Sequence, residues 1–344
     1  MRIHERGEPL QGESRYKVYL AIGAIVLVGL TLLGLRLVVG PLEVVLKIIL
    51  SIPPSTLLQV LAFIVAGEVV RAVRLVVLAR LMGHRLGLTG ALVARLVGRW
   101  AALLSPASSA STPLRAGVIG AYSGISIGAA TGLAIIETIY DLILPVVMAL
   151  IIGLMGLPGT WILLLVSMVV GALWIAGIVF AKTPTVEEML LRVTGKREWW
   201  CYARRQRLIF LEMLRGGIST RILAPGLILT LAAHALEAIA VGAALEWDEG
   251  FIWWFIVLEV SYALSMAPTP GGALVFEYGL EAMLDPRALV AWRASFIMAG
   301  ILPGTLILIL VPKMRTYLSA VARSVEDCDY NGSHSSSTPP RDSL

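Results

Sequence analysis

Between Ser126 and Met155 this chain carries two charged residues, Glu137 and Asp141, in an otherwise apolar run. A segment of that length and character satisfies its own backbone as a helix and finds an apolar solvent in a bilayer. Comparable runs recur at about Val18 to Val39, Trp161 to Ala181, Ile222 to Leu245 and Ala288 to Val311. Their recurrence implies an all-α polytopic membrane protein. Composition agrees, with 58% hydrophobic residues, 15% charged residues and a mean hydropathy of +0.84, which is no soluble globular balance.

Two further apolar segments are interrupted. Phe251 to Met266 runs into Ala267-Pro268-Thr269-Pro270-Gly271-Gly272, and Glu277 follows. Prolines remove backbone donors, and glycines admit backbone angles closed to other residues. In hydrocarbon such a break is tolerated where it is buried in protein or lines a wet cavity. An acid close beyond it is costly and marks a candidate functional group. Upstream, an apolar helix from about Thr89, a candidate N-cap, stops at Ser105-Pro106-Ala107-Ser108-Ser109-Ala110-Ser111-Thr112-Pro113 and runs into Leu114-Arg115. Paired interruptions of this kind point to a transport site.

Loop charge orients the chain. Arg80 to Arg85, Lys182 to Arg221 and Lys313 to Arg323 are basic and belong in the cytoplasm, while the turns at Gly156 and Glu246 fall outside. The expected arrangement is about six full spans plus two opposed re-entrant broken helices, resembling an inverted repeat. Residues 1–17 then form a cytoplasmic arm, 18–312 one transmembrane domain with a basic cytoplasmic loop at 182–221, and 313–344 a disordered cytoplasmic tail. Both termini face the cytoplasm. Trp199, Trp200 and Tyr202 among the basic residues of that loop suit a helix lying on an anionic surface. The formal net charge of +5 gathers in loops, so anionic lipid headgroups are the expected partners and nucleic acid is not.

Chemistry centres on the breaks. Arg115 follows Ser108, Ser109, Ser111 and Thr112; backbone donors at a helix start, hydroxyls and a guanidinium together suit a phosphate. A substrate-binding set is drawn from Arg115, Ser109, Ser111, Thr112, Glu277, Pro268, Pro270, Gly271 and Gly272. A charge network is expected among Glu68, Arg71, Arg95, Arg99, Glu137 and Asp141, whose spacings of three and four put partners on shared helix faces. His234 and Glu237 suit one buried hydrogen-bonded pair. Cys201 and Cys328 form no CxxC, and neither a metal nor a cofactor is implied. Gly124-Ile125-Ser126-Ile127-Gly128 matches G-x-S-x-G, but that elbow needs a preceding strand, and no enzyme is expected.

With these residues in hand, the chain from about Arg71 to Val311 resembles the flippase-like family of membrane proteins. That family includes the transmembrane domain of bacterial lysylphosphatidylglycerol synthases. Pro268-Thr269-Pro270-Gly271-Gly272 with Glu277 resembles its P-x-P-G-G-x-x-x-x-E motif. The stretch from Pro106 to Arg115 is similar to its P…G-E-x-x-R segment, and Glu137 with Asp141 to its E-R-x-x-D. Thr112 stands where the family usually has an acid, Ser111 where it has glycine and Thr138 where arginine is common. The resemblance implies translocation of an anionic or aminoacylated phospholipid, or of a polyprenyl-linked lipid, in a plasma membrane. It implies no synthase activity, since only a short polar stretch follows Val311. A small-solute secondary transporter and a non-transporting scaffold are the alternatives, and a homodimer is compatible with each.

Overall fold

A computed structural model of the chain describes residues 11–155 except 107, scattered positions from 161 to 192, and residues 197–310 except 218, 247–249 and 282. The expected span at Trp161 to Ala181, the turns at Gly156 and Asp248, residues 1–10 of the arm, residues 182–196 of the basic loop and the tail from 313 lie wholly or mostly outside the described residues. Among the described residues every regular element is a helix, and none is a strand.

In chain order the helices are α1 (Gln11–Val39), α2 (Leu42–Ser51), α3 (Pro54–Leu81), α4 (Leu88–Leu104), α5 (Ser111–Ser123) and α6 (Ile127–Leu154). They continue as α7 (Arg197–Gly217), α8 (Thr220–Ala244), α9 (Phe251–Leu264), α10 (Val275–Glu281) and α11 (Pro286–Leu310). By length and composition α6, α8 and α11 can each cross a membrane, and a fourth crossing results if α1 and α2, bent by 103° to one another, count as one broken span. α3 has 28 residues, but Glu68, Arg71, Arg74 and Arg80 in its second half keep it from reading as an apolar span. α9 is apolar but has only 14 residues.

Local chemistry sets the boundaries. Prolines stand at the first position of α3 and of α11, where a missing N–H costs nothing. Asp285 caps α11 by accepting from the N–H groups of Arg287 and Ala288 at 2.8 and 2.9 Å. Gly124 ends α5 in the left-handed region (φ 69°), and Ser126 caps α6 by accepting from Ala129 N–H. The G-x-S-x-G stretch is therefore a helix stop followed by a helix start. Thr89 is not a cap: α4 begins at Leu88, with Gly87 as the flanking residue. α1 begins at Gln11, so the polar residues 11–17 are already helical.

Two apolar clusters build the interior. One joins α1, α2, α9, α10 and α11 to the first half of α3, the second half of α8 and the C-terminal ends of α4 and α6. The other joins α4, α5, α6 and α7 to the second half of α3 and the first half of α8. α3 and α8 make the most extensive helix pair and thread both clusters. Inside a membrane no hydrophobic gain separates helix from lipid, so close contact through small residues carries the packing. Gly132 admits Met213 of α7, where an added Cβ would lie 2.6 Å from the Met213 Cβ. Gly67 of α3 faces Glu237 of α8, with 2.7 Å from an added Cβ to the Glu237 Cγ. α7, expected as a surface helix or connector, thus packs directly on α6.

Candidate functional site

The first break leaves α4 at Ser105, whose hydroxyl donates to Ala101 O (2.7 Å) and accepts from Ala110 N–H (3.0 Å). Ser108 sits at φ 55°, an uncommon angle for a residue with a side chain. The second break folds on itself: Gly272 N–H donates to Thr269 O (3.0 Å), Ala273 N–H to Pro270 O (3.1 Å), and the Thr269 hydroxyl to Ala273 O (2.7 Å). Gly271 and Gly272 both have positive φ, 55° and 68°. An added Cβ at Gly272 would strike the backbone of Leu264 and Ser265. The two breaks touch. Pro106 and Pro270 form an isolated antiparallel bridge, so interruptions more than 150 residues apart in the chain (106 against 270) meet at one place.

Beside that meeting point lies a cavity of about 510 Å³. Ser108, Ser109, Ser111, Thr112 and Arg115 of the first break line it, together with Gly271 of the second. Glu68, Arg71, Arg95, Arg99 and Asp141 line it as well, while Leu103, Ile135, Leu142, Phe210 and Phe296 supply apolar wall. Of the substrate-binding set expected from sequence, Ser109, Ser111, Thr112, Arg115 and Gly271 share this cavity. Pro268, Pro270, Gly272 and Glu277 do not line it.

The charges form one buried cluster between the two apolar layers. Glu68 accepts from Arg95 Nε (2.9 Å) and Arg99 Nη1 (2.9 Å), and lies 3.4 Å from Arg71 Nη1. Glu237 of α8 takes Arg71 in a two-pronged contact, with Nη2 at 2.6 Å, and Arg99 Nη1 at 3.0 Å. Glu137 accepts from Arg74 Nη2 (2.7 Å) and Nε (3.2 Å). Asp141 contacts Arg74 and Arg95 directly and lies 3.3 Å from Arg71 Nε. Tyr262 donates to Glu237 (2.7 Å) and accepts from Arg99 (3.1 Å), with Arg71 and Arg99 over its ring. Desolvating so many ions costs several kcal/mol each, and only such dense mutual contact offsets it.

Four members of this set were not foreseen. Arg74 is the main partner of Glu137; it lies three residues from Arg71 and so shares its side of the helix, which was the available signal. Glu237 belongs to the cluster and not to His234. His234 Nδ1 instead lies 2.6 Å from Glu259 Oε1, because Glu237 has two guanidiniums within reach. Tyr262 sits in the aromatic-rich apolar helix that leads into the second break, as does Glu259, which lies outside the cluster as the partner of His234. Thr230 adds a hydroxyl to Arg74.

Arg115 stands apart from its fellows. It is 4% exposed, its Nη1 donates to the Thr138 hydroxyl at 3.2 Å, and its Nη2 lies 3.4 Å from the Ser111 hydroxyl. Among the described residues its nearest carboxylate, Asp141, is 3.7 Å away, and its Nε, like those of Arg71 and Arg99, has no hydrogen-bond partner. Gly98 of α4 makes room for it, since an added Cβ there would lie 2.9 Å from Nε.

Glu277 has another fate. It is fully buried and forms an ion pair with Arg293 Nε of α11 at 2.7 Å. Its Oε2 accepts from Leu274 N–H (2.6 Å) and packs against Gly34 of α1. Arg293 also donates to Gly271 O (3.1 Å) and Thr31 Oγ1 (3.3 Å) and stacks 4.1 Å from the Phe276 ring. The pair therefore holds the second break from behind. A lone arginine in the last apolar span was the sequence signal for it. Comparison of the chain with protein-family profiles, with curated proteins and with solved structures finds no match.

Proposed function

We propose that this protein is a membrane carrier that moves a phosphate-containing lipid between leaflets, its headgroup held in the cavity between the two breaks. One observation carries the proposal: two broken helices meet at Pro106 and Pro270 beside a cavity that combines an incompletely paired arginine with the hydroxyl side chains of the first break and apolar wall. An amphiphile needs both kinds of surface. A phosphate leaving water must exchange hydration for donors, and Arg115 offers a planar, forked match. Ser108, Ser109, Ser111 and Thr112 add neutral donors. A small polar solute would have no use for the apolar wall. A scaffold would have no use for a cavity of this volume at its most expensive charges.

In this proposal the arrangement is six crossings with two opposed re-entrant breaks in an inverted repeat, both termini cytoplasmic, in the plasma membrane. Loop charge supports that orientation. Single-cysteine labelling from outside intact cells, in a chain lacking Cys201 and Cys328, would remove it if positions 200 and 248 react alike. The transport claim is tested by headgroup scrambling of fluorescent anionic lipids in proteoliposomes. Arg115→Lys keeps the charge but loses the fork geometry, and is expected to slow scrambling at least tenfold. Equal rates for the folded variant and the parent would sink the assignment of Arg115.

A further inference from the structure

The proposal above names a phosphate but not its charge state, and the buried cluster counts charges. Among the described residues, Arg71, Arg74, Arg95, Arg99 and Arg115 face Glu68, Glu137, Asp141 and Glu237. Five guanidiniums against four carboxylates leave one positive charge. The surplus falls on Arg115, whose one carboxylate contact, to Asp141 at 3.7 Å, is the longest in the cluster. Each of the four carboxylates is already in contact with at least two arginines. Glu277, the acid nearest the second break, is taken by Arg293. Among the described residues the cavity therefore has no uncommitted acid for an ammonium.

From this count we infer that the site is built for a group carrying a single net negative charge and no amine: a phosphodiester monoanion, not a phosphomonoester dianion, a diphosphate or an aminoacylated headgroup. The physics is a competition between two powers of charge. The cost of stripping water from an anion rises with the square of its charge, while its attraction to a surplus of one rises linearly. A monoanion brings the buried cluster to neutrality. A dianion leaves a net negative charge against the buried cluster at about four times the desolvation cost by that scaling. A zwitterion leaves the surplus uncancelled and needs an acid for its cation.

This inference rests on the headgroup reading of the cavity, and its test separates the two. Full-length protein in detergent is titrated calorimetrically with four probes. They are dihexanoyl phosphatidylglycerol, dihexanoyl phosphatidic acid at a pH where it is a dianion, dihexanoyl phosphatidylcholine, and glycerophosphoglycerol without acyl chains. Phosphatidylglycerol is expected to bind at least tenfold more tightly than the dianion or the zwitterion. Two substitutions cancel the surplus by opposite routes: Arg115→Gln removes the cation, and Thr138→Glu sets a carboxylate against it. Both are expected to lose binding at least tenfold, and the second keeps the test alive if the first misfolds. Asp141→Asn raises the surplus to two and is expected to move the preference toward phosphatidic acid. Phosphatidylglycerol and phosphatidic acid binding alike would overturn the inference and leave the lipid reading intact. Glycerophosphoglycerol binding as tightly as its acylated form would support the single-charge site and remove the lipid reading. Absence of binding by every probe would overturn both.

Discussion

At the second break an acid and a cation meet one to one. Glu277 and Arg293 are both fully buried, 2.7 Å apart, and between them they engage the Leu274 N–H and the Gly271 carbonyl. At the first break Arg115 has two hydroxyls close by and a carboxylate no nearer than 3.7 Å. The sequence devices are alike, a proline-flanked interruption with an ionisable residue a few positions on. What differs is how the charge is satisfied. A buried ion whose partner is supplied by the fold is a strut. One left partly unsatisfied beside a cavity keeps binding capacity for something that is not the protein. Proximity to a helix break alone does not tell the two apart; the counter-charge does.

The sharpest way to break this contrast is to strand one half of the strut. Glu277→Gln leaves Arg293 buried without its counter-ion and should cost about 3–5 kcal/mol, the usual penalty for removing one partner of a buried pair. Thermal unfolding in detergent checks the loss. Pairing Glu277→Leu with Arg293→Met removes both charges and should recover most of it, since apolar replacement of a complete buried pair is often neutral. Unchanged melting for Glu277→Gln would mean that the acid is solvated and the second break resembles the first.

The sequence carries the fold class openly, because apolar runs and prolines act locally. Helix ends at Gly124 and Ser126, the breaks and the pairing of Glu68 with Arg71 all depend on residues within one or two turns of each other. It also marks Arg115 and the hydroxyls beside it, for the same reason. Partner choice across helices is another matter. Glu237 had a histidine three residues away, yet its guanidiniums come from α3 and α4, and His234 turned to Glu259 on α9. Glu277 looked like a site residue until α11 brought Arg293 to it. Such pairings depend on which helix faces which, and spacing along one helix does not encode that. The contact between Pro106 and Pro270 is of the same kind: each break is visible alone, and their meeting is a property of the packed bundle.

The smallest expected effect on stability belongs to the residue with the largest expected effect on binding. Among the described residues Arg115 is the guanidinium in excess of the four carboxylates, and Arg115→Gln removes it. The glutamine amide can still reach toward Thr138 and Ser111, so few hydrogen bonds are stranded. Like charge from Arg95, whose guanidinium shares Asp141 with Arg115, is relieved at the same time. Stability should therefore stay level or rise by about 1 kcal/mol, as when an imperfectly paired buried ion is replaced by a neutral group. Sites kept for a ligand commonly carry this signature, because strain held for binding is released when the binding group is lost. Matched melting curves of the two proteins in the same detergent, without added lipid, provide the measurement. A loss beyond roughly 2 kcal/mol would place Arg115 among the struts, and the difference between the two breaks would disappear.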